Sequence, residues 1–126
     1  MDEAGVESCE AFVFESEDFY AEWKHVERLK AHLEGLDAVA VAVGSGVIND
    51  TVKYVSYLLG RRYMCVGTAA SMDGFTAYGS SITKDGNKQT FDCPAPLGFV
   101  LDSAIAAQAP KELAASGYAD LIAKIP

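Results

Sequence analysis

The chain is short of positive charge. It holds 10 Lys and Arg against 18 Asp and Glu, a formal net charge of −8. That balance argues against a nucleic-acid or anionic-membrane surface, since both are bound through basic patches. No apolar run approaches the roughly 20 residues that a membrane-spanning helix needs, so membrane insertion is not expected. The N-terminus lacks the basic start and apolar core of a secretory leader, and a cytoplasmic location is the expectation. Cysteine is scarce. Cys9, Cys65 and Cys93 are odd in number, widely spaced and form no CxxC, so they read as reduced thiols, with Cys65 inside a strand. The two histidines, His25 and His32, lie seven residues apart on one predicted helix and read as a structural pair.

Half of the 126 residues are apolar, which suits one modest domain whose core has little margin. The acid is uneven. Met1–Asp18 carries seven carboxylates and no Lys or Arg, as a solvated, flexible end would.

Periodicity supplies the elements. Phe19, Trp23, Val26, Leu29, Leu33 and Leu36 recur at three- and four-residue steps and predict an amphipathic helix ending near Gly35. Ala38–Val43 is short and apolar throughout, as in a parallel strand covered on both faces. Val47–Leu59 predicts a helix with Val52, Val55 and Leu59 on one face and Gly60 as its stop. Tyr63–Val66 is the next strand, completing a right-handed βαβ unit. Ser80–Thr83 and Lys88–Phe91 flank Lys84-Asp85-Gly86-Asn87, a hairpin signal. Leu97–Leu101 is another apolar strand predicted to be buried, and Asp102 is placed to cap the turn after it. Pro110 suits the first turn of a last helix running toward Ile125. The expected fold class is α/β, a Rossmann-like parallel sheet with flanking helices plus a β-hairpin. Three segments are expected: an acidic end over 1–18, a nucleotide-binding domain over 19–109, and the first helix of a further helical domain over 110–126.

Chemistry concentrates at two strand ends. Gly44-Ser45-Gly46 joins an apolar strand to a helix, so that helix N–H groups reach a phosphate; alone, it is also an ordinary tight βα turn. Asp50 in the first helical turn either favours the helix dipole or accepts a hydrogen bond from a nucleotide or a neighbouring loop. Thr68, Ser71 and Asp73 follow the next strand, at the carboxyl edge where α/β sheets bind ligands. Asp73-Gly74 reads equally as a turn pair. Lys84 and Lys88 read as solvated. Asp120 lies in an otherwise apolar helix and needs a partner, either a lysine or a metal.

Four ordered segments, GSGVINDTVKY, TAASMDG, KQTFDCPAP and GYADLIAK, together resemble the sn-glycerol-1-phosphate dehydrogenases. These belong to the superfamily of iron-containing alcohol dehydrogenases and dehydroquinate synthases. The likeness runs from about Ala40 to Lys124. It implies an incomplete N-terminal domain of a dehydroquinate synthase-like fold. It further implies that Gly44, Ser45, Gly46, Val47, Ile48 and Asp50 line an NAD or NADP phosphate turn. Thr68, Ala69, Ala70 and Ser71 would form a second cofactor segment. Asp73 would contact substrate, and Asp120 would contact substrate and ligate a divalent metal, zinc or nickel, as the catalytic residue. The implied reaction interconverts dihydroxyacetone phosphate, a phosphorylated triose, and sn-glycerol 1-phosphate. Three departures stand out: Ala77 replaces a cofactor-contacting serine, Ala119 replaces the glycine before the metal aspartate, and the family's two metal-binding histidines have no counterpart. The expectation is therefore a cofactor half with little or no activity of its own, self-associating through the apolar face around Leu121, Ile122 and Ile125. The competing readings are a glycerol dehydrogenase or dehydroquinate-synthase-like enzyme, and a non-catalytic nucleotide-binding module.

Overall fold

The computed structural model describes residues 5–15 and 19–125. Part of the acidic stretch, residues 1–4 and 16–18, lies outside the described residues. The elements run α1 (Trp23–Glu34), β1 (Ala40–Gly44), α2 (Gly46–Leu58), β2 (Tyr63–Gly67), β3 (Ser80–Lys84), β4 (Asn87–Phe91), β5 (Gly98–Leu101), α3 (Ser103–Ala106) and α4 (Lys111–Ile122). A 3₁₀ turn, Gly74–Thr76, precedes β3. β1, β2 and β5 form a parallel sheet in that order, while β3 and β4 form a separate antiparallel pair. Ala42 lies opposite Cys65, and Cys65 opposite Phe99.

The predicted stops behave as their residues dictate. Gly60 ends α2 at φ +65, a conformation open to glycine. Asp85 and Gly86 take φ +52 and +74, the mirror-image turn that matches the twist of two hairpin strands. Asp102 caps α3, its Oδ1 accepting the Ala104 N–H at 2.7 Å and the Ile105 N–H at 3.3 Å.

The core lies on one side of the sheet. Val26 and Leu29 of α1 and Val52 and Val55 of α2 pack with Ala42, Tyr63, Cys65, Phe75, Ile82 and Cys93. The opposite face is uncovered among the described residues. Val43 is 60% exposed and Val100 55%, and Val39 and Met64 are exposed beside them. This corrects the expectations that the first strand is covered on both faces and that the last is buried. Continuous apolar patterning marks a strand built for two-sided burial, and here one side meets no partner. The histidines are structural: His32 packs on Phe12, and His25 on Phe14 and Phe19, which pins the N-terminal segment along α1. Lys84 is not simply solvated. Its ammonium sits 3.9 Å from the Trp23 ring centroid, a cation–π contact.

Candidate functional site

The carboxyl end of β1 opens directly into α2. Ser45 is the N-cap, in extended conformation, and its carbonyl accepts the Asn49 N–H at 3.1 Å. The Gly46 N–H belongs to the unsatisfied first turn. It donates to Ser71 Oγ at 3.2 Å, so the two strand-end segments meet. They also meet through the backbone, where the Thr68 N–H donates to the Gly44 carbonyl at 3.1 Å. A Cβ on Gly44 would lie 2.9 Å from Ile48 Cβ, so only glycine lets the strand turn this tightly into the helix.

An open cleft of about 770 Å³ runs from this turn along the hairpin to α4. Ser45, Gly46, Val47, Asp50, Ser71, Asp73 and Asp120 line it. Gly44, Ile48, Thr68, Ala69 and Ala70 are not among the lining residues. Ile48 packs under Gly44, and Ala69 is buried. Lys88, Thr83 and Thr90 of the hairpin and Tyr20 form the facing wall. Lys88 is exposed, as the sequence suggested, and borders the cleft.

At one end the Asp73 N–H donates to Asp120 Oδ2 at 3.2 Å. Lys124, four residues after Asp120 and just past the end of α4, hydrogen-bonds Asp73 and lies 3.8 Å from Asp120 Oδ2. The Lys124 ammonium holds the Asp73 carboxyl below the usual carboxylate range. Within the described residues Asp120 thus has two partners, the Lys124 ammonium and the Asp73 backbone N–H. A catalytic metal takes about three protein ligands. No three His, Cys, Asp or Glu of the described residues converge on one point. These residues do not by themselves fit a metal.

Gly117 was not singled out by sequence reasoning, yet it sets the closure of this end. A Cβ there would lie 2.1 Å from the Ala70 carbonyl oxygen. Only a bare α4 backbone approaches the loop after β2 so closely. The signal lay in the glycine itself, placed mid-helix where alanine is the better helix former.

Asp50 accepts from a neighbouring strand. The Ser81 N–H donates to its Oδ2 at 3.4 Å, and Ser80 Oγ donates to its carbonyl at 2.6 Å. Burial pushes its carboxyl up to about 6, against the opposing pull of Lys53. Lys53 itself is buried and its ammonium is pulled below its usual range, chiefly by desolvation.

A glycine turn at the carboxyl end of a parallel strand, opening a helix onto a polar cleft, defines an α/β chain of Rossmann-like architecture. The family model for iron-containing alcohol dehydrogenases matches residues 1–110. Glycerol-1-phosphate dehydrogenase [NAD(P)+] of Methanocorpusculum labreanum is 43% identical over 80% of this chain and 28% of that protein. The enzyme of the same name from Halalkalibacterium halodurans is 38% identical over 68% of this chain and 22% of that protein. Among solved structures, the iron-containing alcohol dehydrogenase of Thermococcus thioreducens superposes with a TM-score of 0.78 at 18% identity, over 95% of this chain and 38% of that one. The chain belongs to the iron-containing alcohol dehydrogenase family. It spans about a quarter of the length of these two curated relatives.

Proposed function

We propose that this chain is the nucleotide-binding part of an NAD(P)-dependent oxidoreductase interconverting dihydroxyacetone phosphate and sn-glycerol 1-phosphate. One observation carries the reading: the Gly44–Gly46 turn and the Ser71 segment are joined by a hydrogen bond at the mouth of a cleft that ends at Asp73 and Asp120. In this reading residues 19–109 are the nucleotide-binding portion. The free N–H groups of the first α2 turn receive the dinucleotide's pyrophosphate. Gly44 and Ile48 shape the turn from behind, while Ser45, Gly46, Val47 and Asp50 present it. Thr68, Ala69, Ala70 and Ser71 hold the second cofactor segment, and Ser71 Oγ is free to exchange its bond to Gly46 for one to the cofactor. Asp73 and Asp120 accept hydrogen bonds from the hydroxyls of the triose. Orientation of the reacting carbon toward the nicotinamide is the protein's main contribution.

A divalent metal, zinc or nickel, is part of the proposed complete site, with Asp120 its only donor in the described residues. The cytoplasm is the proposed location. No helix among the described residues is long and apolar enough to cross a membrane. Self-association is also proposed, because Leu121, Ile122 and Ile125 are exposed together at the end of α4.

Fluorescence titration with NADH tests the reading. Binding is expected for the chain as it stands, with no turnover of dihydroxyacetone phosphate. Gly46→Val should abolish binding and keep the fold, because the nearest atoms that a Cβ there would meet all belong to the flexible Met72 side chain. Absence of NADH and NADPH binding to the parent chain would overturn the proposal. A monodisperse monomer by light scattering at high concentration would overturn self-association alone.

A further inference from the structure

Lysine at a mid-helix position ordinarily reaches solvent. Lys53, in the middle of α2, is 1% exposed. Its Nζ donates to the carbonyl oxygens of Ala77 at 3.0 Å, Gly79 at 3.1 Å and Gly74 at 3.4 Å. An ammonium has three protons, and all three are engaged. The three carbonyls belong to one loop. That loop follows Asp73, includes Tyr78, and forms one wall of the cleft.

Other groups on α2 hold the same stretch. Asn49, also buried, donates from Nδ2 to the Phe75 carbonyl at 3.4 Å and accepts the Tyr63 hydroxyl at 2.9 Å. Ser80 and Ser81 are tied to Asp50. The loop is therefore clamped to the helix that carries the glycine turn. None of the ion pairs within the described residues includes Lys53. A buried ammonium is costly unless its hydrogen bonds are satisfied. Methionine would fill similar space without that cost, so the distinguishing contribution of Lys53 is its three directed bonds.

We propose that Lys53 is a positioning residue of the cleft, fixing the Gly74–Gly79 loop to α2 so that Asp73 and Tyr78 face the ligand. The ligand-binding consequence rests on the nucleotide reading above. The loop consequence does not.

Amide hydrogen exchange separates positioning from general stability. The Ala77 N–H is bonded to the Gly74 carbonyl and the Gly79 N–H to the Cys93 carbonyl, so both report on the loop. In Lys53→Met, exchange should accelerate across 74–81 while the β1–β2 ladder stays protected. Val55→Ala, which removes core packing from the same helix, should loosen both together. Lys53→Gln keeps two donors and should restore part of the loop's protection; it carries the same test should Lys53→Met not fold. NADH binding should weaken about tenfold in Lys53→Met, the equivalent of ~1.4 kcal/mol. Uniform acceleration, or an unchanged loop, would overturn the positioning role. A selectively loosened loop in a chain that never binds NADH would uphold the clamp and sink the nucleotide reading instead.

Discussion

The Asp73 N–H and Asp120 Oδ2 are 3.2 Å apart, although 47 residues separate them in the chain. The bond holds α4 against the loop that follows β2. It stands beside the Gly117 contact with Ala70, and the two act on one joint: Gly117 permits the approach and Asp120 fastens it.

Gly117→Ala should therefore open that joint. The 2.1 Å contact is with a backbone carbonyl, which cannot swing aside. Alanine favours helix by up to about 1 kcal/mol, but overpacking of this kind costs roughly 1–3 kcal/mol. The net expectation is lower thermal stability and faster proteolysis within α4, read by mass spectrometry of limited digests. Unchanged digestion would show that α4 does not rest where it is described.

Gly44→Ala should be worse than Gly46→Ala. The first drives a methyl into Ile48 Cβ, which is fixed to the helix backbone; the second meets the flexible Met72 side chain, Sδ at 2.7 Å. A difference of about 1–3 kcal/mol is expected in denaturant titrations. Equal losses would mean that Ile48 does not pack under the turn.

Stability should fall as pH rises through the range where Asp50 ionises. Its folded pKa, about 6, lies above the ordinary aspartate value of 3.8. The folded state therefore holds this proton more tightly than the unfolded chain. The resulting stability is full below pH 3.8 and is lost as pH approaches and passes 6. Asp50→Asn mimics the protonated form, so it should remove this slope and be more stable than the parent at pH 7, by roughly 1–3 kcal/mol. Thermal melts across pH 4–7 decide it; parallel curves for the two proteins would count against desolvation of the half-buried Asp50 carboxyl.

Thiol labelling offers a simple check of burial. Cys65 and Cys93 are buried, and burial raises both to about 11, whereas Cys9 is exposed. Thiolate is the reactive form. Iodoacetamide at pH 8 should add one label to the native chain and three after denaturation. Rapid native labelling at Cys65 would contradict the position of β2.

Much of this arrangement was legible in the residues themselves. Asp85-Gly86 states its turn, Gly60 its helix stop and Asp102 its cap, because each depends on a local backbone preference. The glycine turn, Ser71 and Asp73 were legible as neighbours for a similar reason: parallel strands bring their carboxyl ends to one edge. What stayed hidden depends on the third dimension. Lys53 drew no reading from the sequence, because nothing local announces that three carbonyls will converge on it. Val43 and Val100 read as buried because strand composition records how many faces are apolar, not how many are covered. Gly117 passes unmarked in its helix until the Ala70 carbonyl is found against it.

Among the described residues, β1 is hydrogen-bonded along one side only, to β2. Its other side pairs with no strand among the described residues and borders the apolar face of Val39 and Val43. Strand edges of this kind template further strands unless they are blocked. Handling of the isolated chain will therefore depend on concentration. Dilute refolding should favour dispersed material, and crowded refolding should favour sheet-to-sheet aggregates seeded at β1.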